Sequence, residues 1–241
     1  MDSKAGEHLM RLVLLNVVVL LLAAKMVPGK ETFRIQNASK EYDLTVEIEK
    51  CDEAEQRIMP NTCNGPGRIS LYRKRAKTPF QVLNLRSVEV YGDQVAYNQK
   101  VNKKPGKPYD DEYSFIFSDF NFDGKEDLAV CNGRGGGYGS PSYNVYLYNS
   151  TAQKFIENKR MSQLTEGALG LFLVDQRKKQ LVSFSKSGCC YHEAEKYRVV
   201  KDQPILVEKI VEDATGDLLV ITTSRLINGK WTKSVKRKRA R

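Results

Sequence analysis

Histidine is almost missing from this 241-residue chain, which has only His8 and His192. An imidazole base would have to be His192, because His8 precedes an apolar run at the N-terminus. The nucleophiles beside it, Ser187 and Cys190, are so close in sequence that nucleophile–base geometry is seldom reached, and a disulfide would remove the thiol. Catalysis is therefore not expected. No C-x-x-C pair occurs, which leaves a zinc ribbon and a thioredoxin-type redox site without support. The apolar run LVLLNVVVLLLAA at 12–24 falls short of the ~20 residues of a permanent membrane span. What is present is the composition of a folded protein: 41% hydrophobic, 28% charged, with 17 Gly and 8 Pro. That excludes a wholly disordered chain, a collagen-like repeat and a disulfide-packed miniprotein.

The short apolar run follows Lys4 and Arg11 and ends in the small residues Ala23 and Ala24, so residues 1–24 are expected to be a cleaved secretory signal. An uncleaved N-terminal anchor is the alternative, and either implies a periplasmic or secreted protein. No cysteine follows the run to carry a lipid.

Acidic residues are outnumbered, 29 against 39 Lys and Arg, for a net charge of +10. Such an excess suggests a nucleic acid, a membrane surface or an acidic protein as partner. Its distribution narrows the choice. The last twelve residues, KWTKSVKRKRAR, hold seven Lys and Arg and no acid. Residues 25–229 form a nearly balanced body, and 230–241 read as a basic C-terminal tail. For an exported chain, nucleic acid is not an expected partner; the tail is expected to be solvated, with contact to an anionic envelope as the competing reading.

Five cysteines are an odd number, so at least one thiol is free or pairs between chains. Cys51 and Cys63 bracket a loop of turn formers and are the favoured disulfide. Cys189 and Cys190 could close a ring with each other, or one could reach Cys131.

Alternating runs rich in Val, Ile, Tyr and Phe recur at 42–49, 68–74, 80–85, 87–91, 113–117, 143–148, 180–184, 196–200, 205–212 and 218–226. Their spacing predicts an all-β single domain, a sandwich, barrel or propeller. Only 161–170 suggests a helix. Asn228-Gly229 is a hairpin turn signal, and the Lys/Pro-rich stretch 100–112 is a linker or a long loop.

The sharpest chemical signal is Asp119-Phe-Asn121-Phe-Asp123-Gly124-Lys125-Glu126-Asp127. Oxygen donors at positions 1, 3 and 5 with Gly at 6 are the front half of a calcium loop, in which alternate side chains turn inward around a hard cation. The Lys125 carbonyl can serve as the position-7 donor. Val130 stands at position 12, so the closing Glu of an EF-hand is missing, and the flanks read as strands. The loop is similar to the shortened loops between strands of integrin-like β-propellers, which Asp127 would close. A structural Ca²⁺ between two strands is expected.

Two loops look like contact surface. NGRGGGYGSPSY at 132–143 combines dense glycine with Tyr138, Ser140, Ser142 and Tyr143, and its backbone could approach a partner closely. SKSGCCYHE at 185–193 gathers Lys186, Ser187, Gly188, Tyr191 and His192.

The succession DFNFDGKEDLAV, NG…YGSPSYNVYLY, LGLFLVD, SKSGCCYH and TTSRLINGKW resembles the calcium-binding periplasmic immunity proteins that neutralise peptidoglycan hydrolases delivered by bacterial type IV secretion systems. These are related to periplasmic inhibitors of invertebrate-type lysozyme. The resemblance implies a modified β-propeller fold and a lysozyme-like peptidoglycan hydrolase as partner. Inhibitors of this kind carry an S-G-x-x-Y motif whose loop enters the hydrolase cleft, and Ser187-Gly188-Cys189-Cys190-Tyr191 matches it; Ser140 to Tyr143 offers a similar Ser/Tyr pair. Ser and Tyr hydroxyls with a cation from Lys186, His192 or Arg134 could hydrogen-bond the cleft's carboxyl groups. A calcium-binding adhesion or interaction module of integrin-like propeller type is the competing expectation.

Overall fold

The computed structural model describes residues 30–49, 62–91, 96–98 and 113–239. The signal expected at 1–24, Cys51 and the stretch 100–112 lie outside the described residues.

Alternation builds the first sheet. Strands β1 (Glu31–Ile35), β2 (Tyr42–Ile48), β3 (Thr62–Arg73) and β4 (Gln81–Tyr91) pair antiparallel in chain order. In β2, Tyr42, Leu44, Val46 and Ile48 are buried while Asp43, Thr45 and Glu47 remain partly exposed. This is the period of a strand with one face on the core. The runs expected at 80–85 and 87–91 fuse into β4.

The central sheet follows a different rule. It comprises β5 (Ala96–Asn98), β6 (Phe115–Ser118), β7 (Asp127–Gly133), β8 (Ser142–Asn149) and β9 (Lys154–Glu157). β5 pairs with β6 in parallel, and the rest are antiparallel. All four residues of β6 and most of β7 are buried, because the sheet has a layer on each side. Phe115, Phe117, Leu128, Val130, Tyr146 and Tyr148 pack in one cluster with Leu44, Val46, Ile69 and Leu71 of the first sheet. Their alternates Ile116, Ala129, Cys131, Val145 and Leu147 pack in a second cluster with Met161, Phe172 and Leu181. Apolar runs without alternation, FIF and LAV, are the sequence form of a strand buried on both faces.

Side chains join the first and central sheets where the backbone ladders end. The Gln81 amide donates to the Phe155 carbonyl at 2.8 Å and accepts from the Phe155 N–H at 2.7 Å, copying a strand pairing. Arg73 donates to the Tyr148 hydroxyl at 2.6 Å.

The one α-helix among the described residues, α1 (Lys159–Gln163), is shorter than expected and starts two residues earlier. The Asn158 side chain caps it by accepting from the Met161 N–H. Beyond it the chain turns irregularly, with Gly167 and Gly170 in the left-handed region at φ 70° and 97°.

The third sheet is an antiparallel meander of β10 (Leu173–Asp175), β11 (Gln180–Ser187), β12 (Tyr191–Val200), β13 (Gln203–Asp213), β14 (Leu218–Ile227) and β15 (Lys230–Arg239). Leu181, Val174, Tyr197 and Val199 cover the central sheet. Farther out, ion pairs link the strands across the ladder. Glu208 joins Lys196 and Arg225 on one face, and Lys209 holds Glu193 at 2.6 Å and Glu195 at 3.1 Å on the other. Two-residue turns close the β12–β13 hairpin at Lys201-Asp202 (φ 48° and 61°) and, as expected, the β14–β15 hairpin at Asn228-Gly229 (φ 47° and 75°).

One expectation is corrected here. Residues 230–239 are not a tail: they form β15, paired with β14 from Ile227↔Lys230 to Leu218↔Arg239. Trp231, Thr232 and Val235 give the segment strand propensity that its charge density hides. The all-β expectation holds, as three sheets with no closed barrel among the described residues. No helix among those residues is long and apolar enough to cross a membrane.

Candidate functional site

The loop of residues 119–127 turns the chain from β6 to β7. Phe122 and Gly124 both have positive φ, 66° and 87°, which sharpens the turn. Asp119 accepts from the Asp123 N–H at 3.0 Å and the Gly124 N–H at 2.9 Å, and the Asn121 side-chain oxygen also accepts from Asp123 at 3.2 Å. Asp123 accepts from the Lys125 N–H at 2.8 Å. Asp127 is fully buried, with one oxygen taking the Tyr148 N–H at 2.9 Å and the other the Phe120 N–H at 2.7 Å. Burial pushes its carboxyl up to about 8, and Asp123 and Asp119 add to the rise against the two backbone hydrogen bonds.

Among the described residues, no three acidic, histidine or cysteine side chains are gathered tightly enough to hold one ion. In this conformation the aspartates organise the loop's own N–H groups. The donor chemistry nonetheless fits a hard cation. Two side-chain oxygens, from Asp119 and Asn121, meet at one N–H, Asp123 is exposed beside them, and Asp127 is a buried carboxyl that a positive charge would relieve. Two further residues tie this loop to the third sheet: Asp202 accepts from the Asn121 amide at 2.9 Å, and Gln176 donates to the Asp119 carbonyl at 3.1 Å. Sequence reasoning missed both, since neither lies near the motif; Lys201-Asp202 was detectable only as a polar pair between two strand runs.

The glycine-rich loop is anchored to its own chain rather than held open for a partner. Gly137 donates to the Ala168 carbonyl at 2.7 Å, and Gly167 to the Gly135 carbonyl at 3.2 Å. A Cβ on Gly136 would stand 2.7 Å from the Ala168 oxygen, and one on Gly137 2.6 Å from the Gly167 oxygen, so this close approach excludes side chains. Ser142 and Tyr143 are withdrawn from the expected contact surface. Both are buried in β8, where the Ser142 hydroxyl donates to the Asn132 side-chain oxygen at 2.6 Å and Tyr143 donates to the Tyr113 carbonyl at 3.1 Å. Ser140 is half-buried. What projects is Tyr138, 65% exposed with φ 57°.

Tyr138 meets the second loop. Its hydroxyl accepts from the Gly188 N–H, and the Lys186 ammonium lies 4.7 Å from its ring centroid. The second loop is a tight turn between β11 and β12, closed by a disulfide between the adjacent Cys189 and Cys190. That pairing leaves Cys131 as a free, buried thiol. Cys63 is disulfide-bonded; Cys51, its expected partner, lies outside the described residues. Register sets Lys186 opposite His192 and Ser187 opposite Tyr191, so the two pairs occupy opposite faces of the hairpin tip. Lys186, Ser187, Gly188 and His192 are exposed, and Tyr191 is half-buried.

Arg134 turns inward and is corrected as a contact cation. Its guanidinium reaches Glu89 at 3.3 Å and lies 5.0 Å from the Tyr91 ring centroid. Tyr91 in turn touches the Cys131 sulfur at 3.3 Å. This buried polar cluster supports the base of the glycine-rich loop. Glu89 sits in an apolar strand run, where a lone acid was the available signal.

The chain is similar to a solved structure described as a Xanthomonas type IV secretion system related protein. Identity is 26%, the TM-score is 0.69, and the match covers 87% of this chain and 94% of that one. No family model and no curated protein matches the chain.

Proposed function

We propose that this protein is an exported, calcium-binding immunity protein that inhibits a lysozyme-like peptidoglycan hydrolase by inserting a rigid double loop into its cleft. The carrying observation is the convergence of Tyr138 with the Ser187–Tyr191 turn in one exposed projection, braced by a disulfide. The likeness to a secretion-related protein over 87% of the chain supports the biological setting. In this reading the three sheets are blades of a modified propeller, and the projection stands at one end of the hairpin β11–β12.

A glycosidase cleft carries two carboxyl groups about 5 to 9 Å apart. The hydroxyls of Tyr138, Ser187 and Tyr191 can donate to such groups, and Lys186 supplies the complementary charge. The Gly188 N–H and the disulfide fix these donors beforehand, which lowers the ordering cost of binding. No bond is made or broken. Asp119, Asn121, Asp123 and Asp127, with the Lys125 carbonyl, would hold Ca²⁺, whose role is to fix the β6–β7 turn.

The test is a peptidoglycan-turbidity assay with the hydrolase encoded beside this gene. Tyr138→Ala and Tyr191→Ala are each expected to weaken inhibition roughly thirtyfold, the loss of about 2 kcal/mol typical of an interfacial tyrosine, with melting temperature unchanged. Full inhibition by both variants, or clearance of peptidoglycan by the protein alone, would overturn the reading.

A further inference from the structure

We propose that the β14–β15 edge of the third sheet is a docking surface for an anionic lipid bilayer, a role separate from the loop projection. Every residue of β15 is exposed, and six of its ten are Lys or Arg with no acid among them. Among the described residues none of the six takes part in an ion pair, although Lys196, Lys209 and Arg225 in the neighbouring strands all do. The register then sorts the strand into two different faces. One carries Lys230, Thr232, Ser234, Lys236 and Lys238, with Ile227, Ile221 and Leu219 of β14 opposite its three lysines. The other carries Trp231, Lys233, Val235, Arg237 and Arg239, with Leu226, Val220 and Leu218 of β14 opposite Trp231, Arg237 and Arg239.

The second face alone adds a tryptophan to its cations and apolar residues, the pattern of a surface that lies on a membrane. Trp231, Val235 and Leu218 are 50%, 42% and 41% exposed and alternate with three cations. Cations over lipid phosphates and a tryptophan at headgroup depth are complementary to an anionic interface. Protection of an open sheet edge explains scattered lysines, but not an exposed tryptophan and valine between them. A free polyanion would meet the charges and leave these apolar side chains in water. On this face the register places Asp213 of β13 two strands from Arg237, and Asp217 precedes Leu218, so neither acid lies on the edge strand.

Trp231 is the chain's single tryptophan, so its fluorescence reports the contact directly. The purified protein is titrated with vesicles of phosphatidylcholine alone and of phosphatidylcholine mixed with phosphatidylglycerol. The phosphatidylcholine arm reads any contribution of the apolar run at 12–24. Expected is stronger binding to the anionic vesicles, with a blue shift of Trp231 emission that molar salt reverses. Joint replacement of Lys233, Arg237 and Arg239 by Gln should lower that binding about a hundredfold, while the same change at Lys230, Lys236 and Lys238 costs much less, because a bilayer touches one face. Near-ultraviolet circular dichroism confirms that each variant folds. Equal binding to the two vesicle types, equal losses in the two triple variants, or binding without a Trp231 shift would each overturn the proposal. So would comparable affinity for polyphosphate or an acidic protein in solution.

Discussion

Cys131 is fully buried, with Tyr91 at 3.3 Å and the Glu89 carboxylate at 3.7 Å. Burial pushes its thiol up to about 12, aided by the Glu89 charge against the hydrogen bond from Tyr91. The thiolate is the reactive form, so iodoacetamide at about pH 8 is expected to leave Cys131 unlabelled in the native protein and to label it fully after denaturation. Mass spectrometry of its peptide checks this, and rapid native labelling would show the cluster to be open. The same cluster explains why the candidate site was only partly legible from sequence. Lys186, Ser187, Gly188 and His192 are exposed at a turn, as their polar, glycine-containing context suggests. Arg134, Ser142 and Tyr143 look equally available as letters, yet Arg134 and Tyr143 are drawn inward by partners 45 and 30 residues away, Glu89 and Tyr113, and Ser142 by Asn132 at the other end of the loop. Local composition carries no record of such partners.

Ion pairs link the outer hairpins of the third sheet, and Glu208, paired with Lys196 and Arg225, is a junction among them. Burial alone would raise its carboxyl pKa, but hydrogen bonds from Arg225 and Lys196 prevail and hold it below the ordinary value. A carboxyl lowered on folding contributes stability above its unfolded pKa and loses that contribution as pH falls through the folded value. The drop in melting temperature between neutrality and about pH 3 is therefore expected to be smaller in Glu208→Gln than in the parent; parallel curves would show the pair to be idle. At this scale most strands were visible in the sequence, since alternation survives wherever one face meets the core, as in β2 and β11. β15 was not visible, because a strand exposed on both faces has no apolar period to display. The short β9 and β10 escaped for a different reason: at four and three residues they complete no more than two alternations.

Across the whole molecule, the 119–127 loop stands where the layers meet. It belongs to the central sheet, yet Asn121 and the Asp119 carbonyl are hydrogen-bonded to Asp202 and Gln176 of the third sheet's turns. A cation bound there would stabilise the fold as a unit. With free Ca²⁺ a hundredfold above its dissociation constant, the gain is about 2.7 kcal/mol, roughly 5–10 °C in a chain of this size. Differential scanning calorimetry with Ca²⁺ and with chelator is expected to show this shift, and Asp123→Ala to abolish it; an unchanged melting temperature in chelator would remove the ion from the account. The double burial of the central sheet has a consequence for how this chain can vary. In the first sheet every second residue of β2 faces outward and is open to exchange, but β6 and the first half of β7 have no such positions. Variation is thus confined to the outer sheets and the loops, and a homologue could drift far at its surfaces while eight letters flanking the 119–127 loop, 115–118 before it and 128–131 after it, stay fixed in character.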